Sequence, residues 1–329
     1  MKIWNFIKKA VRSNVSLVGL FIMLVLASCI NQNFLSMENL SNVFRQISLT
    51  GPIAVGMLFV ILCGSIDLSV GSVFALGAVV TLYFSKYSVA MAIAMPLLCG
   101  AFFGFINGLL VGCMKMPPFV GTISTQMFIR GLVLVLIGEN TYSVGKLPGS
   151  LQVLGKGEFF SFITVPAIIF VVLLAAGSFL LNRTRIGRNM YVVGGNPESA
   201  TMMGISVPAT LITAYTLSGM LAAFSGMIVV TRIGSAYPLT GQGNELAAIA
   251  GAVIGGAYLS GGVGKVSGTF IGVTIMGLFT NVFNMQSFLS SFWERVFTGA
   301  ILIAVVFVQA VITHQKTTGK KKRKILTAS

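Results

Sequence analysis

Long apolar runs separated by short polar stretches fill the chain, and their lengths cluster near the twenty or so residues an α-helix needs to cross a lipid core. The first run extends from Leu17 to Ile30, and further spans are predicted over 47–63, 68–84, 89–113, 118–138, 162–182, 209–231, 245–260, 266–284 and 294–312. The pattern predicts an all-α polytopic membrane helix bundle of about ten transmembrane helices. Residues 1–16 form the N-terminal segment, 17–312 the transmembrane domain and 313–329 a basic tail. Eight spans is the alternative if the short, glycine-broken segments re-enter the membrane instead of crossing it.

One long stretch breaks this pattern, the polar loop 183–208, which reads RTRIGRNMYVVGGNPESATMMGISVP. Asn196 is suited to accept a backbone N–H as N-cap, Pro197 to occupy the first helical position, and Glu198 to complement the positive end of the helix dipole. Gly204 is suited to the left-handed conformation that stops a helix, with Ile205 as the apolar residue beyond it. A helix of about two turns, capped at both ends, is therefore expected from Pro197. A plain connector between two spans is the bland alternative.

Composition fixes the class. With 55% hydrophobic and 9% charged residues, the chain has too few polar side chains to cover a soluble globule. The net charge of +15 would suit nucleic acid, but the basic residues gather in alternate loops and in the run Lys320 to Lys324, which fits orientation and anionic lipid instead. With both termini cytoplasmic, the inward segments hold 15 of the 22 Lys and Arg, among them Lys115, Arg183, Arg185, Arg188 and Lys265, and the outward loops hold Arg45, Lys86, Lys146, Lys156 and Arg232. Lys2, Lys8, Lys9 and Arg12 precede the first run, which is read as an uncleaved span; Leu26-Ala27-Ser28-Cys29 also resembles a lipoprotein cleavage box. The four cysteines lack CxxC spacing and the single histidine, His314, lies near the tail, so neither a disulfide framework nor a metal site is expected.

Glycine breaks matter because paired interruptions in two halves of a carrier mark transport pathways. Gly64–Gly77 is one and Gly255–Gly272 the other; Leu68-Ser69 and Leu259-Ser260 share an offset of 191 residues with Gly77 and Gly268, suggesting an internal repeat. Asp67 is read as the only acid near membrane depth, and three roles fit it: capping the following helix, lining the pathway, or a loop charge at the inner surface. Asn107, Thr122, Ser124, Thr125, Gln126, Arg130, Asn281 and Asn284 are further pathway candidates, although interhelical hydrogen bonding is the commoner use of such residues. Gly100, Gly104, Gly108 and Gly112 would form a groove for another helix. Gly261 to Lys265 resembles a phosphate loop, but Leu259 and Val266 stand where a Walker A motif needs Gly and Ser or Thr. No catalytic residues are expected, since neither a Ser/His/Asp set nor paired carboxylates occur within the spans.

The segments GSIDLSVGSVFAL (64–76), PPFVGTISTQMFIRG (117–131), GRNMYVVGGNPESATMMGISV (187–207), GNELAAIAGAVIGGAYLSGGVGKVSGTFIG (243–272) and NVFNM (281–285) resemble the permease subunits of bacterial ABC importers for monosaccharides, the ribose, xylose, arabinose and galactose branch. Val193 stands where those proteins commonly have Ala. The resemblance implies a multi-pass protein of the inner membrane that binds no cofactor of its own. It also implies a cytoplasmic ABC ATPase using ATP and Mg, a periplasmic sugar-binding protein, and a second permease subunit, identical or paralogous. Gly194, Asn196, Glu198, Ala200 and Gly204 match the loop that would couple to the ATPase. The alternative is a secondary carrier or channel, which would need buried acids that pair.

Overall fold

A computed structural model describes residues 15–159, 163–286, 293–307 and 311. The N-terminal basic residues, His314 and the run Lys320 to Lys324 lie outside the described residues.

Among the described residues the helices run in chain order: α1 (Val15–Ile30), α2 (Met37–Leu62), α3 (Val70–Phe84), α4 (Val89–Gly112), α5 (Pro118–Ile137), α6 (Gly149–Lys156), α7 (Val165–Arg183), α8 (Arg185–Gly195), α9 (Pro197–Met202), α10 (Val207–Ile233), α11 (Asn244–Ile254) and α12 (Val266–Asn284). Residues 293–307 are also helical. Six of these, α2, α4, α5, α7, α10 and α12, are long and apolar enough to cross a membrane, while α1, α3 and α11 are apolar but shorter. The chain is thus an all-α polytopic membrane protein, and four two-residue strands make up the rest of its regular structure among the described residues.

Helix starts follow local chemistry. Ser36, Ser88, Thr164 and Ser206 each accept a backbone N–H from the residue three positions on, capping α2, α4, α7 and α10. The Ser36 cap, with Glu38 in the first turn, starts α2 ten residues before the apolar run predicted at 47, which moves Arg45 from a loop into a helix. In the opposite sense, the span predicted over 245–260 ends as a helix at Ile254, because Gly255, Gly256, Gly261, Gly262 and Gly264 crowd the segment that follows. Ser69 immediately precedes α3, whereas Ser260 stands well before α12, so the 191-residue offset does not superimpose the two helix starts.

Packing centres on α10, which lies against α2, α3 and α4. Its contact with α4 uses the predicted glycine groove: a Cβ on Gly100 would come within 2.4 Å of the Gly219 carbonyl, one on Gly104 within 2.3 Å of the Tyr215 carbonyl, and one on Gly108 within 2.5 Å of Ile212 Cα. With no hydrophobic effect to drive helices together in lipid, such backbone approach supplies dispersion contacts that larger side chains would block. Loops gather at two ends of the bundle. At one end β1 (Tyr142–Ser143) pairs with β4 (Ser235–Ala236), β2 (Glu158–Phe159) pairs with β3 (Ile163–Thr164), and Arg45 bridges to Glu158 at 2.5 Å. The other end carries α8, α9 and the 255–265 loop.

Substituting Gly104 by Val should overpack the α4–α10 contact, at a cost of about 1–3 kcal/mol. Gly131 of α5, with nothing within 4 Å of an added Cβ, should accept Ala freely. Thermal unfolding in detergent should show a lowered midpoint for Gly104→Val and none for Gly131→Ala; equal midpoints would mean that the α4–α10 backbone contact contributes little.

Candidate functional site

The polar loop folds as two helices, not one. Thr184 caps α8, a helix not anticipated from the sequence, by accepting from Gly187 N at 3.2 Å. The expected second helix, α9, begins at Pro197, with the Asn196 side chain accepting from Ser199 N at 2.9 Å. Gly204 takes the left-handed conformation (φ 76°), and Ile205 N closes onto the Ala200 carbonyl at 3.0 Å. Both expected caps are formed. Ala200 is buried, whereas Glu198, Ser199, Thr201, Met202 and Met203 face outward, Met202 with 88% of its surface exposed. Met202 and Met203 thus stand exposed on a short helix capped at both ends.

What lies behind α9 could not be read from the sequence. Three glycine-bearing segments converge there: the end of α2 (Leu62–Gly64), the end of α8 (Gly194 and Gly195) and the loop before α12 (Ser260–Gly264). Gly262 N donates to the Leu62 carbonyl at 2.9 Å. A Cβ on Gly194 would meet that same carbonyl at 1.8 Å, and one on Gly261 would lie 2.7 Å from both the Gly194 carbonyl and Gly64 N. Only glycine permits chains to approach this closely. Tyr191 of α8 adds a side-chain tie, its hydroxyl donating to the Gly264 carbonyl at 2.8 Å. Val193, the departure from the family pattern, is buried in α8. The two glycine breaks singled out in separate halves of the sequence therefore meet each other and the polar loop.

Beyond Gly64 the chain turns back into the bundle to start α3. Asp67 is fully buried there. Its Oδ1 accepts from Ser69 N (3.0 Å) and Ser69 Oγ (2.7 Å), and its Oδ2 from Ser218 Oγ (3.0 Å) on α10. Asn107 of α4 donates to Ser69 Oγ at 2.8 Å, and the Tyr215 hydroxyl donates to the Ile66 carbonyl at 3.0 Å while meeting Ser65 Oγ at 2.7 Å. Of the three roles open to Asp67, this geometry is nearest to capping: the carboxylate closes a turn ahead of α3 and pins it to α10. At 1.5 Å per residue Ser218 lies about 16 Å along α10 from Val207, so α3 begins well inside the bundle.

Asp67 is not the only buried acid. Glu245, at the start of α11, is 8% exposed and accepts from Gly243 N with both oxygens at 3.2 Å. A Cβ on Gly71 of α3 would lie 2.3 Å from Glu245 Oε2, so the first turns of α3 and α11 touch within the bundle. Arg130 braces this meeting point, Nη1 donating to the carbonyls of Pro238 (2.5 Å) and Thr240 (3.0 Å), and Glu245 acts on it electrostatically. Placing Glu245 at the boundary of a longer predicted span hid it; the acid in GNELAA was the available signal.

The other pathway candidates scatter. Thr122 and Thr125 are buried and donate to Pro118 and Gly121 carbonyls of their own helix. Gln126 is half-buried, and Ser124 and Asn284 are exposed. Asn281 exchanges paired hydrogen bonds with Asn39 at 3.1 and 2.9 Å, joining α12 to α2.

Replacing Asp67 by Asn keeps an acceptor for Ser69 and lets the Ser218 hydroxyl rotate to accept, so membrane abundance should stay normal. Leu in its place orphans buried donors at about 1–3 kcal/mol each. Quantifying folded protein in membranes should show loss only for Asp67→Leu; equal loss in both variants would mean that the negative charge itself holds α3.

No solved structure matches this chain. Among characterised proteins, it is 40% identical to the ribose import permease protein RbsC of Bacillus subtilis (strain 168), across 88% of this chain and 90% of that protein. It is 36% identical to the inner membrane ABC transporter permease protein YjfF of Escherichia coli (strain K12), across 90% and 91%. With the xylose transport system permease protein XylH of Haemophilus influenzae it shares 30%, across 88% and 91%. The bundle of crossing helices, its glycine-tied junction and a family match spanning residues 39–306 agree: the chain belongs to the family described as branched-chain amino acid transport system / permease component.

Proposed function

We propose that this chain is the membrane-spanning subunit of an ATP-driven importer for a monosaccharide, and that α9 receives the force generated by a separate ATPase. Full-length similarity to ribose and xylose permeases supports the sugar class over the amino acids of the family's description. The observation that carries the mechanism is the glycine junction. A partner that pushes on α9 pushes through α8 on the end of α2 and the start of α12, because backbone-to-backbone contacts leave no compliant side chains between them. Displacement there reaches α3 and α11, whose first turns meet inside the bundle.

In this reading the chain crosses the inner membrane ten times, with both termini and α9 in the cytoplasm, as the placement of Lys115, Arg183, Arg185, Arg188 and Lys265 favours. A second permease subunit completes the path, a periplasmic binding protein delivers the sugar, and ATP and Mg act on the ATPase alone. Gly194, Asn196, Glu198, Ala200 and Gly204 supply the coupling site: the glycines fix close approach and helix stop, Asn196 and Ala200 the shape of α9, and Glu198 the charge it presents. An ion-gradient carrier is disfavoured, because Asp67 is held by Ser69 and Ser218 and Glu245 by Gly243, and the two acids do not hold one another.

Gly204→Val forces a β-branched residue into the left-handed region at about 1–2 kcal/mol or more, and Glu198→Arg sets a positive charge at the positive end of α9. In proteoliposomes holding the assembled complex, both should lower sugar uptake and ATPase stimulation together while leaving membrane abundance unchanged. Ser199→Cys should crosslink to a cysteine on the ATPase surface. Normal transport by both variants, with no crosslink in a functional complex, would reduce α9 to a connector.

A further inference from the structure

Toward the end of the bundle away from the glycine junction, a cavity of about 170 Å³ opens between α2, α11, α12 and helical residues 293–307. Gln46 and Thr50 of α2, Asn244 of α11, Thr280 of α12, and Glu294 with Thr298 contribute its polar lining, against an apolar wall of Ile53, Val273 and Met276. Its size leaves room for on the order of ten water-sized groups, the scale of one monosaccharide. Thr280 Oγ1 donates to Glu294 Oε1 at 2.8 Å, which orients the carboxylate and leaves its second oxygen without a partner among the described residues. The side-chain amides of Gln46 and Asn244 likewise form no hydrogen bond among the described residues.

These half-buried amides and the carboxylate face the cavity with hydrogen-bonding capacity to spare. Water would satisfy them, but so would a ring of hydroxyl groups: each amide offers both donor and acceptor, the carboxylate offers acceptors, and vicinal hydroxyls supply the complement. The apolar wall suits the C–H face of a sugar ring. Asn244 opens α11 beside Glu245, so the same short helix that meets α3 inside the bundle also forms the floor of this cavity.

We propose that this cavity is a transient binding site for one monosaccharide, held by Gln46, Asn244 and Glu294. The proposal rests on the sugar-import reading above, and places the site where movement of α11 would alter it. The test is uptake of labelled ribose and xylose by proteoliposomes of the complete transporter carrying Gln46→Leu, Asn244→Leu or Glu294→Gln, with ATPase stimulation by loaded binding protein read in parallel. Glu294→Gln keeps an acceptor for Thr280, so the helix contact survives. Ala247→Phe, which fills the cavity without removing a polar group, is the fourth variant. Uptake should fall at least about tenfold for the Leu variants, ATPase stimulation should persist, and the ratio of ribose to xylose uptake should shift for Glu294→Gln. Unchanged uptake in all four, or parallel loss of uptake and ATPase stimulation with no change in sugar ratio, would overturn the site while leaving the sugar-import reading intact. A wild-type complex that imports neither sugar nor any other monosaccharide would instead overturn that reading.

Discussion

The exposed end of this bundle comes closest to the interior helices at one contact, the approach of Gly194 to the Leu62 carbonyl and Gly262. An added Cβ at Gly194 would stand 1.8 Å from that carbonyl, far inside van der Waals contact, so the geometry exists only because the residue has no side chain. The same carbonyl accepts the Gly262 N–H, which ties the end of α2 to the loop before α12 by backbone atoms. A side-chain-mediated joint would absorb a small push by rotamer changes. A backbone joint transmits it, and this is the property a mechanically driven transporter needs.

The interior is arranged to respond. α3 and α11 are too short to cross a lipid core as straight helices, and both begin inside the bundle. Their starts are stabilised by short-range polar closures, Asp67 to Ser69 and Glu245 to Gly243, with Ser218 and Asn107 tying the first of them to α10 and α4. These closures satisfy carboxylates that would otherwise cost several kcal/mol in an apolar setting. The surrounding frame, α2, α4 and α10, is locked by glycine grooves. A rigid frame around two interrupted helices lets a displacement at one end change what the middle exposes.

How much of this the sequence reveals differs by kind of interaction. The caps of α9 were legible because capping is local: Asn196, Pro197 and Gly204 each act within four residues. The Gly100 to Gly112 groove was legible as a groove, though its occupant, α10, was not. Helix ends failed where apolarity and helicity part company, as at Met37, where a polar first turn is still helical, and at Ile254, where an apolar run is broken by glycine. The meeting of Leu62, Gly194 and Gly262 is a long-range contact with no periodic signature, and Glu245 was missed because its depth depends on where α11 starts. Asp67 stands out in the sequence as an acid near membrane depth and is buried in the fold, and the ties to α4 and α10 around it are what the linear pattern could not supply.

The central claim is that α9 and the 255–265 loop move as one body, and an inter-residue distance tests it. Spin labels at Met202→Cys and Ser260→Cys, both at exposed positions, report across the junction, and a pair at Met202→Cys and Lys86→Cys reports across the bundle. In the assembled complex, measured without nucleotide and with trapped ATP, the account predicts an unchanged distance for the first pair and a changed one for the second. A shift across the Met202–Ser260 pair as large as that across the Met202–Lys86 pair would contradict it.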